Sequence, residues 1–186
     1  MVGLGNPERA YERTRHNVGF MVADEIATRL DVRFREGTGE YLIAEKTYGG
    51  DRVVLIKPTT YMNNSGFAVR DVVDKLNVDL SSLLVICDDF NLPIGTIRIR
   101  LQGSDGGHHG LASIIEHLES IAFPRLRCGI QSKYMPQDRA KLADFVLDVF
   151  AEDEQPIVKM MIQRAADACL QIPLKGIHRV MNEFNQ

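Results

Sequence analysis

VGLGNPERAYERTRHN, residues 2–17, is the stretch around which the rest of the chain can be organised. Met1 to Leu4 form a short apolar run suited to a buried strand, and Gly5-Asn6-Pro7 breaks it. That break aims the Asn6 amide outward at a strand end, where open α/β sheets keep their sites. Beyond Thr14-Arg15-His16-Asn17, the residues Val18, Phe20, Met21, Ala23, Ile26, Ala27 and Leu30 recur at helical spacing, so His16 falls at or just before a helix start. An imidazole with an ordinary pKa of about 6.5 can take a proton from water at neutral pH once a partner holds it. His16 is therefore the leading candidate for a general base. The plainer reading is a capping or solvated histidine. Gly3-x-Gly5 also invites a dinucleotide fingerprint, but Glu8 stands where the third glycine belongs and no βαβ unit follows at the required spacing, so that reading ranks low.

At 186 residues and 45% apolar, the chain suits one α/β domain over 1–186. A net charge of −3 and a pI of about 6.0 argue against sequence-blind coating of polyanions, although a local basic patch on an acidic protein can still bind phosphate. Cys87, Cys128 and Cys169 are odd in number, far apart and in apolar contexts, which reads as reduced core thiols and not as a disulfide framework or a zinc site. No metal or other cofactor is expected. No apolar run approaches a membrane span and the first residues form no signal peptide, so the expected place is the cytoplasm, or an organelle after processing.

Further along, Tyr41–Tyr48 and Arg52–Lys57 read as a hairpin split by Gly49-Gly50-Asp51. A polar turn over residues 59–66 precedes a helix marked by Phe67, Ala68, Val69, Val72, Val73 and Leu76, with Asn64 or Ser65 as its cap. Leu83–Cys87 reads as a central strand with Asp88-Asp89 directly after its end, followed by a turn over residues 91–95. From Thr96 to Leu101, Ile97 and Ile99 alternate with Arg98 and Arg100, so the two arginines share one strand face: a solvated face, or a phosphate-binding row. The glycine-rich loop 103–110 enters an apolar helix from Leu111 to about Leu118, a place where backbone N–H groups can face an anion. Leu126–Ile130 is a strand, residues 131–141 read as a mobile loop, and helices are expected over 153–171 and 174–184. Pro156 falls in the first turn of one, and Leu174, Ile177, Val180, Met181 and Phe184 form the core stripe of the other.

Taken together, GLGNP, YERTRHNVGF, KPTTYMNNSG, VICDDFNLPIG, GSDGGHHGL and RLRCGI, in that order and at compatible spacings, resemble the bacterial-type peptidyl-tRNA hydrolase family from Val2 to the terminal VMNEFN. The resemblance implies a monomeric α/β fold with a mixed twisted β-sheet flanked by helices, and metal-independent hydrolysis of the ester joining a peptide to the 3′ end of tRNA. It implies His16 as general base and Asp88 as its supporting carboxylate. Asn6 and Asn63 would hold the substrate, with Tyr11, Tyr61, Met62, His108 and His109 lining the site. Arg100 and Arg127, helped by Arg98 and Arg125, would clamp acceptor-stem phosphates. Such an ester is already activated, so a positioned water, one base and amide donors at the carbonyl oxygen suffice. No serine lies in a nucleophile elbow and no cysteine has a base nearby in sequence, which leaves water as the nucleophile.

Five residues depart from the family pattern. His109 stands where the glycine loop has asparagine, Glu8 replaces a glycine after Asn6-Pro7, Gln131-Ser132 replace a glycine-containing turn, and Asn64 replaces an apolar residue. His109 favours a competing expectation, a non-catalytic RNA-binding or splicing-cofactor-like scaffold; retention of His16, Asp88, Asn6 and Asn63 favours the enzyme.

Overall fold

The computed structural model describes residues 1–185. Seven strands, β1 (Val2–Gly3), β2 (Arg35–Glu36), β3 (Tyr41–Tyr48), β4 (Asp51–Pro58), β5 (Val85–Pro93), β6 (Ile97–Arg100) and β7 (Arg125–Gln131), form one sheet in the order β2-β3-β4-β1-β5-β7-β6. The centre is parallel, with β1 between β4 and β5 and β7 beyond β5, whereas β2, β3 and β6 add antiparallel edges. This is the mixed α/β sheet that the family resemblance implies.

The helices are α1 (Val18–Leu30), α2 (Ser65–Leu76), α3 (His109–Leu118), α4 (Leu142–Leu147), α5 (Gln155–Lys175) and α6 (Ile177–Phe184). They divide two cores between the faces of the sheet. Val22, Ile26, Ile86, Leu126, Cys128, Met161, Ala165 and Val180 pack on one face, while Val2, Leu4, Val69, Val85, Cys87, Leu111 and Ile114 pack on the other. Adjacent residues of β5 alternate between these cores, Val85 and Cys87 on one face and Ile86 on the other, as in a strand buried on both faces.

The glycines of the opening motif serve this packing. A Cβ on Gly19 would stand 2.4 Å from the Ile86 carbonyl oxygen and 2.5 Å from the Leu4 nitrogen, and one on Gly3 would stand 2.3 Å from the Gly19 carbonyl oxygen. Only bare backbone lets α1 approach β1 and β5 this closely, and α1 carries His16 at its entrance.

Several expectations change. Asp88 and Asp89 do not follow β5 but lie inside it, paired in register with Cys128 and Gly129 of β7. The strand tolerates them because β7 satisfies the backbone and each carboxylate finds a partner. Neither Asn64 nor Ser65 caps α2 through its side chain; the Ser65 hydroxyl instead donates to the Met62 carbonyl at 2.9 Å. Phe67 is exposed, edge-on to the His117 ring at 4.1 Å. Helix α5 runs on to Lys175 through Pro173, which sits in the final turn where a missing N–H removes a single ladder bond. Leu174 is consequently exposed and outside the core, whereas Val180 is buried. At the other edge, Asn185 accepts from the Ile99 N–H at 2.7 Å and donates to the Ile99 carbonyl at 3.0 Å, occupying the open side of β6. No helix among the described residues is long and apolar enough to cross a membrane.

Candidate active site

His16 lies in a short 3-10 turn (Arg15–Asn17) at the mouth of α1, and Asp88 lies on the α1 face of β5. Although 72 residues apart, they meet: His16 Nδ1 is 2.8 Å from Asp88 Oδ1, and both groups are buried. The same carboxylate oxygen is 3.0 Å from His108 Nε2. His108 is the N-cap of α3, where its Nδ1 accepts the Leu111 N–H at 3.2 Å. A backbone amide can only donate, so Nδ1 of His108 is unprotonated, and Nε2 carries the proton donated to Asp88. With the Asp88 anion accepting, His16 donates from Nδ1, which leaves the ring's lone pair on Nε2.

The electrostatics follow from the same contacts. Burial pulls the His16 pKa down, but the charge of Asp88 and its hydrogen bond more than offset this and raise it above the ordinary 6.5. Burial likewise opposes the Asp88 anion, yet attraction to His16 and His108 holds its carboxyl well below the usual carboxylate range. His16, Asp88 and His108 bring three potential metal-ligand atoms within 4.8 Å of one another. A metal at His108 would need a lone pair on Nε2, where the Leu111 cap places a proton, so this donor set fits a hydrogen-bonded array better than a metal centre.

Asn6 is held on three sides. Its N–H donates to Asn17 Oδ1 at 2.9 Å, Asn17 Nδ2 returns a bond to the Asn6 carbonyl at 2.9 Å, and the Asn6 side-chain oxygen accepts the Met62 N–H at 2.9 Å. With its oxygen engaged, Asn6 presents its amide N–H groups as donors. Met62 is buried, and its sulfur lies 2.5 Å from where a Gly110 Cβ would be, so a bare backbone at Gly110 keeps Met62 next to the start of α3. Asn63 and His109 are exposed and Tyr11 is half-buried. The exposed Tyr61 hydroxyl donates to the Glu8 carboxylate, joining the loop after β1 to the loop after β4.

The four arginines share one face of β6 and β7, because Arg98 is directly opposite Arg127 and Arg100 directly opposite Arg125. Their surroundings differ. Arg100 is exposed, Arg98 is half-buried with Nη1 donating to the Asn185 carbonyl at 3.0 Å, and Arg127 forms an ion pair with Asp89. Arg125 is 2% exposed, and its guanidinium donates to the carbonyls of Gly103, Ser104, Ile121 and Phe123. It is thus committed to holding the glycine-rich loop.

Residue-pattern reasoning did not single out Asn17, although it directly follows His16, nor Arg15 and Glu154. Arg15 Nη2 lies 2.9 Å from Glu154 Oε2 in a buried ion pair, and Nη1 reaches the carbonyls of Phe145 and Asp148 at 3.2 and 3.3 Å. This pair fastens the His16 turn to the C-terminal helices. The charge pattern of residues 152–156 alone does not reveal that one of its acids is buried.

A site of this composition on this sheet matches a known group of proteins. The family profile described as peptidyl-tRNA hydrolase matches residues 1–186. This chain belongs to the peptidyl-tRNA hydrolase family. The peptidyl-tRNA hydrolase of Chlorobaculum parvum is 44% identical over 186 residues, covering 100% of this chain and 97% of the relative. That of Geobacillus kaustophilus is 45% identical over 185 residues, covering 100% and 98%. Among solved structures, the peptidyl-tRNA hydrolase of Acinetobacter baumannii superposes with a TM-score of 0.92 at 30% identity, covering 99% of this chain and 92% of that one. Family membership therefore rests on the whole length of the chain and on a shared architecture, not on the glycine-rich or histidine motifs alone.

Proposed function

We propose that this chain hydrolyses the ester between peptide and tRNA in peptidyl-tRNA, releasing the peptide and free tRNA, with water activated by His16. The hydrogen bond from His16 Nδ1 to Asp88, which leaves the Nε2 lone pair of the same ring as the basic site, is the observation that carries the reading. In the first step His16 Nε2 removes a proton from water as the oxygen attacks the ester carbonyl, and the Asp88 anion stabilises the imidazolium that forms. Negative charge develops on the carbonyl oxygen, where the N–H groups of Asn6 and the exposed Asn63 amide are the donors at hand. Collapse breaks the bond to the ribose oxygen, which takes the proton back from His16. The acyl group leaves as a carboxylic acid and ionises in water.

Tyr11, Tyr61, Met62, His108 and His109 frame the substrate end in this reading. Arg98, Arg100 and Arg127 form the phosphate-binding row, and Arg125 supports the adjoining loop. The segment 131–141 borders a cavity of about 630 Å³ also lined by Phe90, Gly106 and Gly107, and closing and opening of that segment would gate it. The scaffold alternative is not favoured, because the histidine–carboxylate pair is intact and full-length relatives are named as hydrolases. The decisive assay is cleavage of a labelled N-acyl-aminoacyl-tRNA. His16→Ala abolishes turnover while the protein stays folded and still binds tRNA; turnover near the wild-type rate in this variant excludes His16 as the base.

A further inference from the structure

Adjacent residues of β5 send two carboxylates to opposite faces of the sheet. Asp88 serves His16 on one face, and Asp89 turns to the other, where it is 6% exposed and forms an ion pair with Arg127. Asp89 Oδ1 also accepts the Asn91 N–H at 2.8 Å, so one oxygen is tied to the backbone while the other faces the Arg127 guanidinium as an ion pair. The Arg127 side chain keeps 29% of its exposure, and the place where a Gly106 Cβ would stand is 3.9 Å from its Nη2. The guanidinium is therefore held between the strand and the glycine-rich loop that leads to His108.

We propose that Asp89 is a positioning residue for substrate binding, which holds the Arg127 guanidinium beside Arg98 and Arg100 in the orientation that meets a nucleic-acid phosphate. This deepens the phosphate-row reading and rests on it. A buried carboxylate next to a phosphate site is otherwise hard to account for, since it repels the ligand and loses solvation. Its presence makes sense when orientation outweighs repulsion. An arginine side chain carries about 2 kcal/mol of rotamer entropy, and one nitrogen held by Asp89 leaves the remaining donors aimed in a fixed fork. Asp89 also offsets the repulsion between Arg98 and Arg127, which stand directly opposite each other on one face.

Repulsion and orientation give opposite signs, so the test is one of direction. Steady-state cleavage of an N-acyl-aminoacyl-tRNA is measured over a range of salt for Asp89→Asn, Arg127→Gln, the double variant and Arg127→Lys. Asp89→Asn raises KM about three- to tenfold and lowers the slope of log kcat/KM against log salt by about one, while kcat changes by less than about twofold. Arg127→Gln does the same, and the double variant is no worse than Arg127→Gln alone. Arg127→Lys keeps the charge but loses the fork, so it also raises KM, which keeps the proposal testable if Asp89→Asn folds poorly. A lowered or unchanged KM in Asp89→Asn, multiplying effects in the double variant, or wild-type binding by Arg127→Lys would overturn the proposal. Wild-type KM and salt slope in Arg127→Gln would instead remove the phosphate row itself, and the Asp89 proposal with it.

Discussion

Replacing Asp88 with asparagine separates the chemical role of the carboxylate from its shape. The side chain remains nearly isosteric and can still accept from His16 Nδ1, but the anion is gone. With Nδ1 and Oδ1 2.8 Å apart, the centres of the two charges lie about 4 Å from each other, and at an effective dielectric of about 20 their attraction amounts to about 4 kcal/mol. In the proposed mechanism that attraction is felt when His16 becomes an imidazolium in the transition state, so its loss is expected to lower kcat by about a thousandfold. The pH profile moves as well. With His16 as the proposed base, it must lose a proton held above the ordinary 6.5, so activity is expected to rise with pH along a limb centred above that value. Without the charge of Asp88, burial is opposed by the remaining hydrogen bond alone, so the pKa falls and the limb moves to more acid pH. Folding stability has its own sign. Because folding raises the His16 pKa, this contribution is fully present below about 6.5 and is lost as pH rises through the folded value. Release of labelled N-acyl amino acid from tRNA, followed from about pH 5 to about pH 9, reads both kinetic effects. A kcat within tenfold of wild type, or an acid limb that stays in place, would refute the assigned pairing.

Asn17→Ala removes both bonds that hold the Asn6 backbone and leaves a buried N–H unpaired; a loss of about 1–3 kcal/mol in urea unfolding is expected, with a fall in kcat as Asn6 loses its aim. Arg15→Met leaves Glu154 buried without its counter-charge and costs about 3–5 kcal/mol, whereas Arg15→Met combined with Glu154→Leu is less destabilised than the single change, as thermal unfolding of the set will report. Gly19→Ala drives a methyl group into the Ile86 carbonyl and the Leu4 backbone, so it destabilises by at least about 1–3 kcal/mol and separates His16 from Asp88, visible as loss of both unfolding free energy and turnover.

The element types were legible because their causes are local. Alternation of Ile97 and Ile99 with Arg98 and Arg100 specifies a strand with one basic face, and the Gly49-Gly50 pair, both with positive φ, closes the hairpin where turn chemistry requires it. The boundaries were less legible where a neighbour supplies what the segment lacks. Asp88 and Asp89 read as the residues after a strand because isolated acids disfavour one; β7 at their side and partners for both carboxylates keep them inside β5. Leu174 read as core and is exposed because helix α5 continues past it.

For the candidate site, the residues themselves singled out His16 and Asn6, while the resemblance to the family supplied the roles of Asp88 and Met62. The sequence could not determine that one oxygen of Asp88 serves two histidines, that Leu111 dictates the proton position on His108, or that Arg125 turns inward while Arg127 stays at the surface. Those facts depend on distances between segments tens of residues apart. Side-chain identity specifies what a group can donate, accept or hold as charge, and only the packed fold decides which of those capacities finds a partner and which is left for the substrate.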